Sequence, residues 1–212
     1  MNRRDCQQGV KRSLDVVASG SLLLFFCPLL AVVWLLVRWK MGRPAIFRQQ
    51  RPGQFSRPFV LYKFRTMNNA RDAKGALLPD AERLTPLGRF LRRTSLDELP
   101  QLWNVLRGQM SLVGPRPLLT AYVDRYSAEQ ARRLLVTPGI TGWAQIHGRN
   151  AITWDEKLAL DVWYVDHWNL RLDLAILLQT AVKVFQRKGI SAEGHCTMPE
   201  FMGAHSSRKD AA

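Results

Sequence analysis

Residues 16–37 read VVASGSLLLFFCPLLAVVWLLV, a run of 22 residues without a formal charge. At roughly 1.5 Å per helical residue, a helix of this length would cross the hydrocarbon core of a bilayer, which is about 30 Å thick. Basic residues nevertheless lie close to both ends: Lys11 and Arg12 precede the run, and Arg38 and Lys40 follow it. Cationic flanks favour the cytoplasmic side of a membrane. Both ends of the run are therefore predicted to face the same side.

Pro28, preceded by Cys27, offers the run a way to return. Proline has no backbone N–H, and its ring clashes with the carbonyl four residues earlier, so it kinks or breaks a helix. Neither residues 16–27 nor residues 28–37 are long enough to span a bilayer alone. We predict a re-entrant membrane hairpin, helix-break-helix, that enters one leaflet and returns, with the break at Cys27 and Pro28. The basic N-terminus and this hairpin together form a first region, residues 1–40.

Three other interpretations of this run remain open. A single span kinked at Pro28 is tolerated in membrane helices, and a buried core helix is compatible with an apolar run. A cleaved signal peptide fits less well, because the run is longer than an h-region and is followed by Arg38-Trp39-Lys40 instead of a small-residue cleavage pattern. An amino terminus on the far side of the membrane would indicate the single span.

The chain is basic, and its excess of positive charge is concentrated in one segment. It contains 31 Lys and Arg against 17 Asp and Glu, and residues 38–116 hold 16 of the cations and five of the anions. This net charge of +11 indicates anionic partners: phosphate groups of a ligand, anionic lipid or nucleic acid. No nucleic-acid-binding motif accompanies it. The three cysteines lack C-x-x-C spacing, which fits a reducing cytoplasm and gives no disulfide or metal framework.

A mainly helical α+β fold is predicted for the remainder of the chain. Glycines and prolines in residues 38–58 exclude a single helix there, and residues 59–65, FVLYKFR, are rich in strand formers. Residues 68–84 have the composition of a mobile surface excursion. A last amphipathic helix is predicted at residues 170–188, packed in the core or, as the alternative, interfacial along the bilayer surface. Helix starts are indicated by capping residues with their partners: Thr85 with Pro86, Ser127 with Gln130, and Thr153 with Glu156.

Residues 94–107, TSLDELPQLWNVLR, predict an amphipathic helix with two carboxylates in its first turn. Asp97 and Glu98 lie off the apolar stripe. Free N–H groups at a helix start favour anionic side chains and also attract phosphate, so one of these carboxylates is a candidate nucleophile. An alternative role for Glu98 is a capping box with Ser95. Pro100 is compatible with a regular helix that begins nearer to it.

Arginines on the two sides of this helix are candidates for phosphate binding. The helix that begins at Pro86 carries Arg92 on its polar face, where the alternative is a solvated or lipid-facing role. Residues 111–117, SLVGPRP, predict a stiff loop that directs Arg116, whose planar fork suits bidentate phosphate recognition. Residues 140–148 are predicted to be extended. These parts suit phosphoryl transfer between a soluble and a lipid-borne molecule, and a P-loop is absent from the sequence.

The sequence resembles the bacterial sugar transferase family, the monotopic polyprenyl-phosphate phosphoglycosyl transferases that begin glycoconjugate assembly. The resemblance runs from about residue 11 to residue 203. It depends on the basic and apolar hairpin with Pro28 and on four motifs in order: YKFRTM at residues 62–67, SLDELPQLWN at 95–104, MSLVGPRP at 110–117 and PGITGWAQ at 138–145. The family often has serine before the hairpin proline, whereas this chain has Cys27, so the hairpin angle is less closely specified here.

The resemblance implies a two-step reaction with Mg2+ in a catalytic domain formed by residues 41–202, followed by a flexible tail at residues 203–212. Asp97 would attack the β-phosphate of a UDP-sugar, release UMP and carry a phospho-sugar that undecaprenyl phosphate then accepts. Glu98 would help to place the metal or assist the incoming phosphate, so that Asp97 and Glu98 are both candidate metal ligands. The resemblance also implies three phosphate contacts: Lys63, Arg92 and Arg116.

Residues 149–203 resemble family members that act on N-acetylated amino sugars, which implies a donor such as UDP-diNAc-bacillosamine. The implied location is the cytoplasmic face of the bacterial inner membrane, inserted in one leaflet among membrane lipids. Nucleic acid is not an expected partner, and the oligomeric state is open, with a homodimer as one alternative. The competing hypothesis is a membrane-tethered basic scaffold or lipid-binding protein without catalysis.

Overall fold

A computed structural model describes residues 3–148, 152–186 and 200–203 of the chain. The fold is α+β and mainly helical, as predicted. Its regular elements are α1 (Arg3–Met41), β1 (Ile46–Pro52), β2 (Pro58–Phe64), α2 (Asp80–Arg83), α3 (Pro86–Thr94), α4 (Gln101–Leu106), β3 (Ser111–Val113), α5 (Ala128–Ala131), β4 (Gly139–Thr141), α6 (Trp143–His147), α7 (Trp154–His167) and α8 (Leu170–Gln186). Short 3-10 turns cover Gln54–Ser56, Leu96–Glu98, Thr120–Arg125 and Arg132–Leu135.

Helix α1 is one continuous helix of 39 residues that contains Pro28 in its interior. The predicted break at Cys27 and Pro28 is therefore wrong as an interruption of the helix. A proline removes one ladder hydrogen bond, and the bonds on either side are able to carry the helix past it. The re-entrant path stays a prediction. Residues Cys6–Met41 are long and apolar enough to cross a membrane, and only 11% of their most apolar 18-residue window is buried, which argues against a core helix.

The amino-terminal half of α1 contacts the globular domain through polar side chains. Lys11 Nζ donates to Val113 O at 3.0 Å and pairs with Asp173 Oδ2 at 2.5 Å. The guanidinium of Arg12 donates to two backbone carbonyls near the end of α4, and Leu112 N donates to Asp15 Oδ1 at 3.0 Å. Carbonyls at a helix end have no partner in their own helix. Arg12 provides a partner for Leu106 O and a second donor for Val105 O, which also accepts from Gly108 N at 2.9 Å.

The carboxy-terminal half of α1 contacts the same domain through apolar side chains. Val33 and Val37 are buried in one cluster with Ala45, Phe64 and Leu91. Residues between the two halves are largely exposed and apolar, including Leu24 and Phe25 at 80% and 74% exposure. A soluble protein seldom leaves such a patch uncovered. This structure therefore indicates membrane association of α1, with the globular domain held against both of its halves.

Strands β1 and β2 form an antiparallel hairpin with Arg48 opposite Tyr62 and Phe47 opposite Lys63. The predicted strand at residues 59–65 is confirmed as β2. Strand β1 was not predicted, because the turn residues of its neighbourhood suggested irregular structure. In the structure the prolines only bracket the strand, and Pro52 stands at its last position, where the loss of an N–H is tolerated.

Strands β3 and β4 pair in parallel, with Ser111 opposite Gly139 and Val113 opposite Thr141. The irregular structure predicted at residues 111–117 is wrong for the first three of them. The extended structure predicted at residues 140–148 is wrong after β4, because Trp143–His147 form α6. The two backbones lie so close that a Cβ added at Gly139 would overlap Gly114 N. The glycines thus permit a pairing that local propensity does not reveal.

The predicted helix starts are confirmed. Thr85 accepts a hydrogen bond from Gly88 N at 3.0 Å, and complete capping boxes begin α5 and α7. In the predicted excursion at residues 68–84, isolated antiparallel backbone bridges join Met67 to Leu84 and Arg71 to Leu77, so that the segment folds back as a loop. The last helix is confirmed as far as Gln186. One of the three cysteines, Cys196, and the predicted tail after Gly203 lie outside the described residues.

Candidate active site

Asp97 and Glu98 lie on the 3-10 turn Leu96–Glu98, directly after α3. Ser95, between these elements, adopts the left-handed conformation with φ 57° and makes no side-chain capping contact. The capping box suggested for Ser95 and Glu98 is therefore wrong, because a capping serine needs extended backbone angles. The regular helix α4 begins after Pro100, and the two carboxylates are left available for other contacts.

Glu98 forms ion pairs with two cations from distant parts of the sequence. Lys63 Nζ, on β2, lies 2.8 Å from Glu98 Oε1. Arg116 donates from Nη1 to Glu98 Oε2 at 3.1 Å and from Nη2 to Glu98 Oε1. Burial alone would raise the pKa of Glu98, but the charges of Arg116 and Lys63 outweigh it and hold the pKa well below its ordinary value. Glu98 is thus an ionised residue that positions two cations.

Asp97 has the opposite electrostatic environment. Its side chain is buried, with 7% exposure. Burial, followed by the neighbouring charge of Glu98, raises the pKa of Asp97 to about 6 against the opposing charges of Lys63, Arg116 and Arg92. Two adjacent carboxylates with pKa values pushed apart are typical of sites where each has a different role. A weakly solvated carboxylate that still ionises near neutral pH suits a nucleophile.

Arg92 reaches the same region from the last turn of α3. Its Nε donates to Thr66 Oγ1 at 3.1 Å. Helix α3 approaches this strand end closely, since a Cβ at Gly88 would overlap the carbonyl of Thr66. Arg92 is half-buried beside the carboxylates, whereas Arg89 and Arg93 on the same helix are exposed. The solvated role considered for these arginines thus describes Arg89 and Arg93.

A cavity of about 1110 Å³ joins these side chains, and we call it the Asp97 cavity. Its lining includes every residue that the sequence indicated for catalysis or phosphate binding: Lys63, Arg92, Asp97, Glu98 and Arg116. Leu22 and Phe26 of α1 also line it. The cavity is slightly larger than the usual size range of ligand sites, about 300–1,000 Å³. Polar groups for a charged ligand and apolar groups from the membrane helix therefore face one space.

Other polar side chains also line the cavity, and Arg51, Gln145 and Lys157 are among those that sequence reasoning missed. Arg51 lies on β1, whose existence was not predicted. Lys157 lies in the first turn of α7, where a lysine ordinarily faces solvent. Gln145 falls within a motif that resembles the family, which is the one signal that could have indicated it.

The carboxylate pair fits Mg2+ chemistry of a particular kind. Within residues 3–148, 152–186 and 200–203, no group of three or more His, Cys, Asp or Glu could hold a metal ion. Mg2+, however, is commonly bound through one or two carboxylates together with substrate phosphates and water. Asp97 and Glu98 supply such hard oxygen donors in a cavity that accommodates phosphates. Mg2+ stays a prediction, with these two residues as its candidate ligands.

The raised pKa of Asp97 gives a direct prediction. In metal-free, substrate-free protein the carboxyl of Asp97 should titrate with a midpoint at about 6, so that its ionised fraction grows as the pH rises through 6. In Glu98→Gln the midpoint should fall, because a negative neighbour is removed while Lys63, Arg116 and Arg92 keep their charges. Carboxyl carbon NMR of aspartate-labelled protein measures both values, with Asp97→Asn used to assign the resonance. An unchanged midpoint in Glu98→Gln would contradict the proposed coupling.

Comparisons with known proteins agree on one family. A family model described as bacterial sugar transferase matches residues 6–187. The sugar transferase EpsL of Bacillus subtilis is 53% identical over 195 residues, which cover 92% of this chain and 96% of that protein. The undecaprenyl-phosphate galactose phosphotransferase of Salmonella typhimurium is 42% identical over 197 residues. The UDP-glucose:undecaprenyl-phosphate glucose-1-phosphate transferase of Caulobacter vibrioides is 44% identical over 180 residues.

The extent of these matches differs between the relatives. The match to the Salmonella protein covers 85% of this chain but 41% of that protein, so the chain spans about two fifths of its length. The match to the Caulobacter protein covers 80% of this chain and 67% of that protein. The matched part in each case includes the segment that carries Asp97 and Glu98.

Proposed function

Because the chain belongs to the bacterial sugar transferase family, we propose that it transfers a sugar 1-phosphate from a UDP-sugar to undecaprenyl phosphate. The names of the Salmonella and Caulobacter relatives specify undecaprenyl phosphate as the acceptor. The observation that carries the proposal is the Asp97 cavity, which combines a buried carboxylate, several cations and two apolar residues of α1. A membrane-tethered scaffold, the alternative function, would have no use for a buried carboxylate of raised pKa.

The reaction proposed for Asp97 proceeds in two displacements at one phosphorus atom. In the first, a carboxylate oxygen of Asp97 bonds to the β-phosphorus of the UDP-sugar, and the bond from that phosphorus to the bridging oxygen breaks. UMP leaves with the bridging oxygen and its electron pair. In the second, a phosphate oxygen of undecaprenyl phosphate bonds to the same phosphorus and Asp97 is released. The product is undecaprenyl diphosphate sugar, and the enzyme returns to its initial state.

The surrounding residues would stabilise the charge that moves in each displacement. Glu98 holds Lys63 and Arg116 at fixed positions in the cavity, so their donors need little reorganisation during the reaction. Arg92, on the other element beside Asp97, supplies a third cation. Mg2+, held by Asp97 and Glu98 with the substrate phosphates, would neutralise the diphosphate. Burial of Asp97 removes solvent that would otherwise shield the nucleophile.

Two sugar classes are to be compared. We propose an N-acetylated amino sugar, such as UDP-diNAc-bacillosamine, because residues 149–203 resemble family members of that specificity. UDP-galactose and UDP-glucose are the second candidates, because the names of the relatives specify galactose or glucose.

Release of UMP tests the proposed function. Purified full-length protein with undecaprenyl phosphate and Mg2+ should release UMP from at least one UDP-sugar of a panel containing acetamido sugars, galactose and glucose. The preferred donor should exceed the others by at least about tenfold, because one unpaired polar group in a site built to bind it costs that much or more. Lack of UMP release with every donor would leave the scaffold alternative.

We further propose that α1 lies in one leaflet, with both of its ends at the cytoplasmic face. Two observations support this placement of α1. Lys11, Arg12 and Asp15 form hydrogen bonds with the globular domain, and the apolar residues around Val33 and Val37 pack against it. A charged domain occupies one side of a membrane, so a helix with both halves against it has no means of leaving its far end on the opposite side.

Cysteine labelling measures this placement. In a variant with the three native cysteines replaced by serine, Gln8→Cys and Lys40→Cys should both react with a membrane-impermeant maleimide in inverted membrane vesicles. Neither should react when the reagent is added to intact cells with a permeable outer membrane. Labelling of Gln8→Cys alone in intact cells would contradict this placement and indicate that α1 is a single membrane span with a periplasmic amino terminus. A periplasmic loop of another membrane protein serves as the positive control.

A further inference from the structure

Arg92 differs from Lys63 and Arg116 in its bonding. Lys63 and Arg116 each form an ion pair with Glu98. Among the residues that the structure describes, Arg92 forms no ion pair, and its guanidinium makes one hydrogen bond, from Nε to Thr66 Oγ1 at 3.1 Å. The hydroxyl of Thr66 carries no charge. It therefore orients the guanidinium but leaves the positive charge and the N–H groups of both Nη atoms without a partner in that part of the chain.

Thr66 provides a rigid support for this arginine. It lies just after β2, which ends at Phe64, and it is 7% exposed. The carbonyl oxygen of Thr66 accepts hydrogen bonds from Thr85 N at 3.3 Å and from Thr85 Oγ1 at 3.2 Å. A Cβ added at Gly88 would lie 1.8 Å from the same oxygen, so α3 is in close contact with this backbone. Because a β-branched side chain has few χ1 rotamers, a fixed backbone also fixes the hydroxyl.

The preceding residue, Arg65, attaches the same segment to the end of α1. Its Nε donates to Met67 O at 2.8 Å, and its Nη1 donates to Met41 O at 3.1 Å and to Arg43 O at 3.2 Å. Arg65 also lines the Asp97 cavity, but these carbonyls already bind its guanidinium. The backbone of Thr66 is therefore fixed from two directions, by the end of α1 and by the start of α3.

The positive charge of Arg92 acts on Asp97. Burial and the charge of Glu98 raise the pKa of Asp97, and the charge of Arg92 is among those that oppose this rise. Arg83, a further cation that lines the cavity, pairs instead with Asp80 at 3.5 Å. A phosphate group that reaches Asp97 would thus be attracted to Arg92. Two Nη atoms in one plane suit bidentate binding of phosphate oxygens.

We propose that Thr66 is a positioning residue: by accepting a hydrogen bond from Nε, it holds Arg92 so that the Nη groups bind a phosphate group of a substrate. This inference rests on the proposed function. An arginine that changes rotamer freely loses that freedom when it binds a ligand, and the lost entropy weakens binding. Arg92 is already held by Thr66, so less entropy is lost for each hydrogen bond to phosphate. Thr66 contributes through Arg92 and does not bind the substrate itself.

Removal of the Thr66 hydroxyl tests this role. Thr66→Val keeps the shape of the side chain and should lower kcat/KM by about 3- to 10-fold, the cost of ordering one long side chain during binding. Thr66→Ser keeps the hydroxyl and should stay within about twofold of wild type.

Thr94→Val is the matched control for the lost hydroxyl. Thr94 lines the same cavity, but its hydroxyl donates to Phe90 O at 2.9 Å, within its own helix. This variant should change kcat/KM by less than about twofold. If Thr94→Val caused the same loss as Thr66→Val, removal of any hydroxyl from the cavity would explain the effect, and the proposal would be overturned.

A double-mutant cycle shows whether Thr66 acts through Arg92. Arg92→Met should lower kcat/KM by about 10- to 100-fold, the range expected for lost charge-assisted hydrogen bonds. When Arg92 is already methionine, Thr66→Val should cause no further loss beyond about twofold. A full additional loss in the double variant would mean that Thr66 acts independently of Arg92, which contradicts the positioning role.

The substrate that supplies the phosphate is identified by the displacement that slows. The ratio kcat/KM for the UDP-sugar reports the first displacement, and kcat/KM for undecaprenyl phosphate reports the second. If only the first ratio falls in Thr66→Val, Arg92 binds a phosphate of the nucleotide sugar. If only the second falls, it binds the lipid phosphate. If both fall, it binds the transferred phosphoryl group, and if neither falls, the proposal is wrong.

NMR of the Arg92 Nε–H group gives a measurement that does not depend on turnover. In substrate-free protein with isotope-labelled arginine, this proton should exchange slowly with solvent because it is hydrogen-bonded, and Arg92→Lys assigns its signal. Exchange should stay slow in Thr66→Ser and become faster in Thr66→Val, with the melting temperature unchanged. Equal exchange in wild type and Thr66→Val would overturn the proposal. If wild-type protein releases no UMP, the proposed function fails, whereas this measurement still tests the bond.

Discussion

Replacing Asp97 by asparagine should abolish sugar-phosphate transfer, with a loss in kcat on the order of 10⁴-fold or more. Removal of a covalent nucleophile in other enzymes has effects of this size. Asparagine has nearly the same shape as aspartate, and the cavity would keep its cations. The expected loss therefore follows from the missing carboxylate oxygen and not from a change in packing.

Intact mass spectrometry separates the nucleophile from other roles of Asp97. With UDP-sugar and without acceptor, wild-type protein should gain the mass of one phospho-sugar, and Asp97→Asn should gain nothing. Asp80→Asn is the matched control, because Asp80 lines the same cavity but its carboxylate pairs with Arg83 at 3.5 Å. It should retain activity within a few fold. Turnover by Asp97→Asn at near-native rate would eliminate the covalent mechanism.

Arg133→Met should destabilise the fold by about 3–5 kcal/mol, the cost of leaving one partner of a buried ion pair alone. Both side chains of the pair with Asp161 are 1% exposed, and Arg133 also donates to Tyr126 Oη at 3.2 Å and to Arg116 O at 2.6 Å. For a chain of this size, the melting temperature should fall by roughly 6–20 °C. Thermal unfolding in one fixed detergent measures the change.

The double variant Arg133→Met with Asp161→Leu is the control for this prediction, because it removes both charges. It should recover most of the lost stability. The pH gives a second check. Burial raises the pKa of Asp161, and loss of Arg133 raises it further, so the folded single variant binds a proton more tightly than the unfolded chain. The loss of unfolding free energy in Arg133→Met, relative to wild type, should therefore become smaller as the pH falls. A deficit that persists in the double variant would indicate that the hydrogen bond to Arg116 O carries the effect.

Local signals made part of the fold predictable. Thr85, Ser127 and Thr153 are each followed by a partner that completes a cap within one turn, and the structure has helices beginning at all three. Strand β2 was predictable for the same reason, since its strand formers are contiguous. Strands β3 and β4 were not, because Ser111 pairs with Gly139 and each segment alone resembles a loop. Three-residue strands depend on a partner that local sequence does not specify.

The membrane helix shows the limit of a strong single-residue rule. Pro28 predicted a break, yet α1 is helical on both sides of it and through it. The rule describes the loss of one hydrogen bond, whereas the course of α1 also depends on Lys11, Arg12 and Val37, which bond or pack against the domain. Those contacts involve residues far along the chain and were not accessible to a sequence argument.

In the candidate site, too, the sequence indicated individual residues but not the contacts between them. Helix-start and loop arguments indicated Asp97, Glu98, Arg92 and Arg116, and the resemblance to the family added Lys63. Neither indicated that Lys63 and Arg116 both bond to Glu98, a geometry that joins β2, the 3-10 turn and the loop after β3. Arg51 and Lys157 carried no sequence signal of their own. Both line the same cavity, a placement that only the three-dimensional arrangement provides.

The ion pair between Lys11 and Asp173 has a consequence for biosynthesis. Its partners are 162 residues apart in sequence. At a synthesis rate of about 5–20 residues per second, Lys11 would wait roughly 8–30 s for Asp173 to emerge from the ribosome. During this interval α1 has its exposed apolar face but lacks the domain that later covers its polar residues. Early contact of the nascent helix with the membrane would then precede folding of the domain, and the domain would complete its structure against a helix that is already inserted.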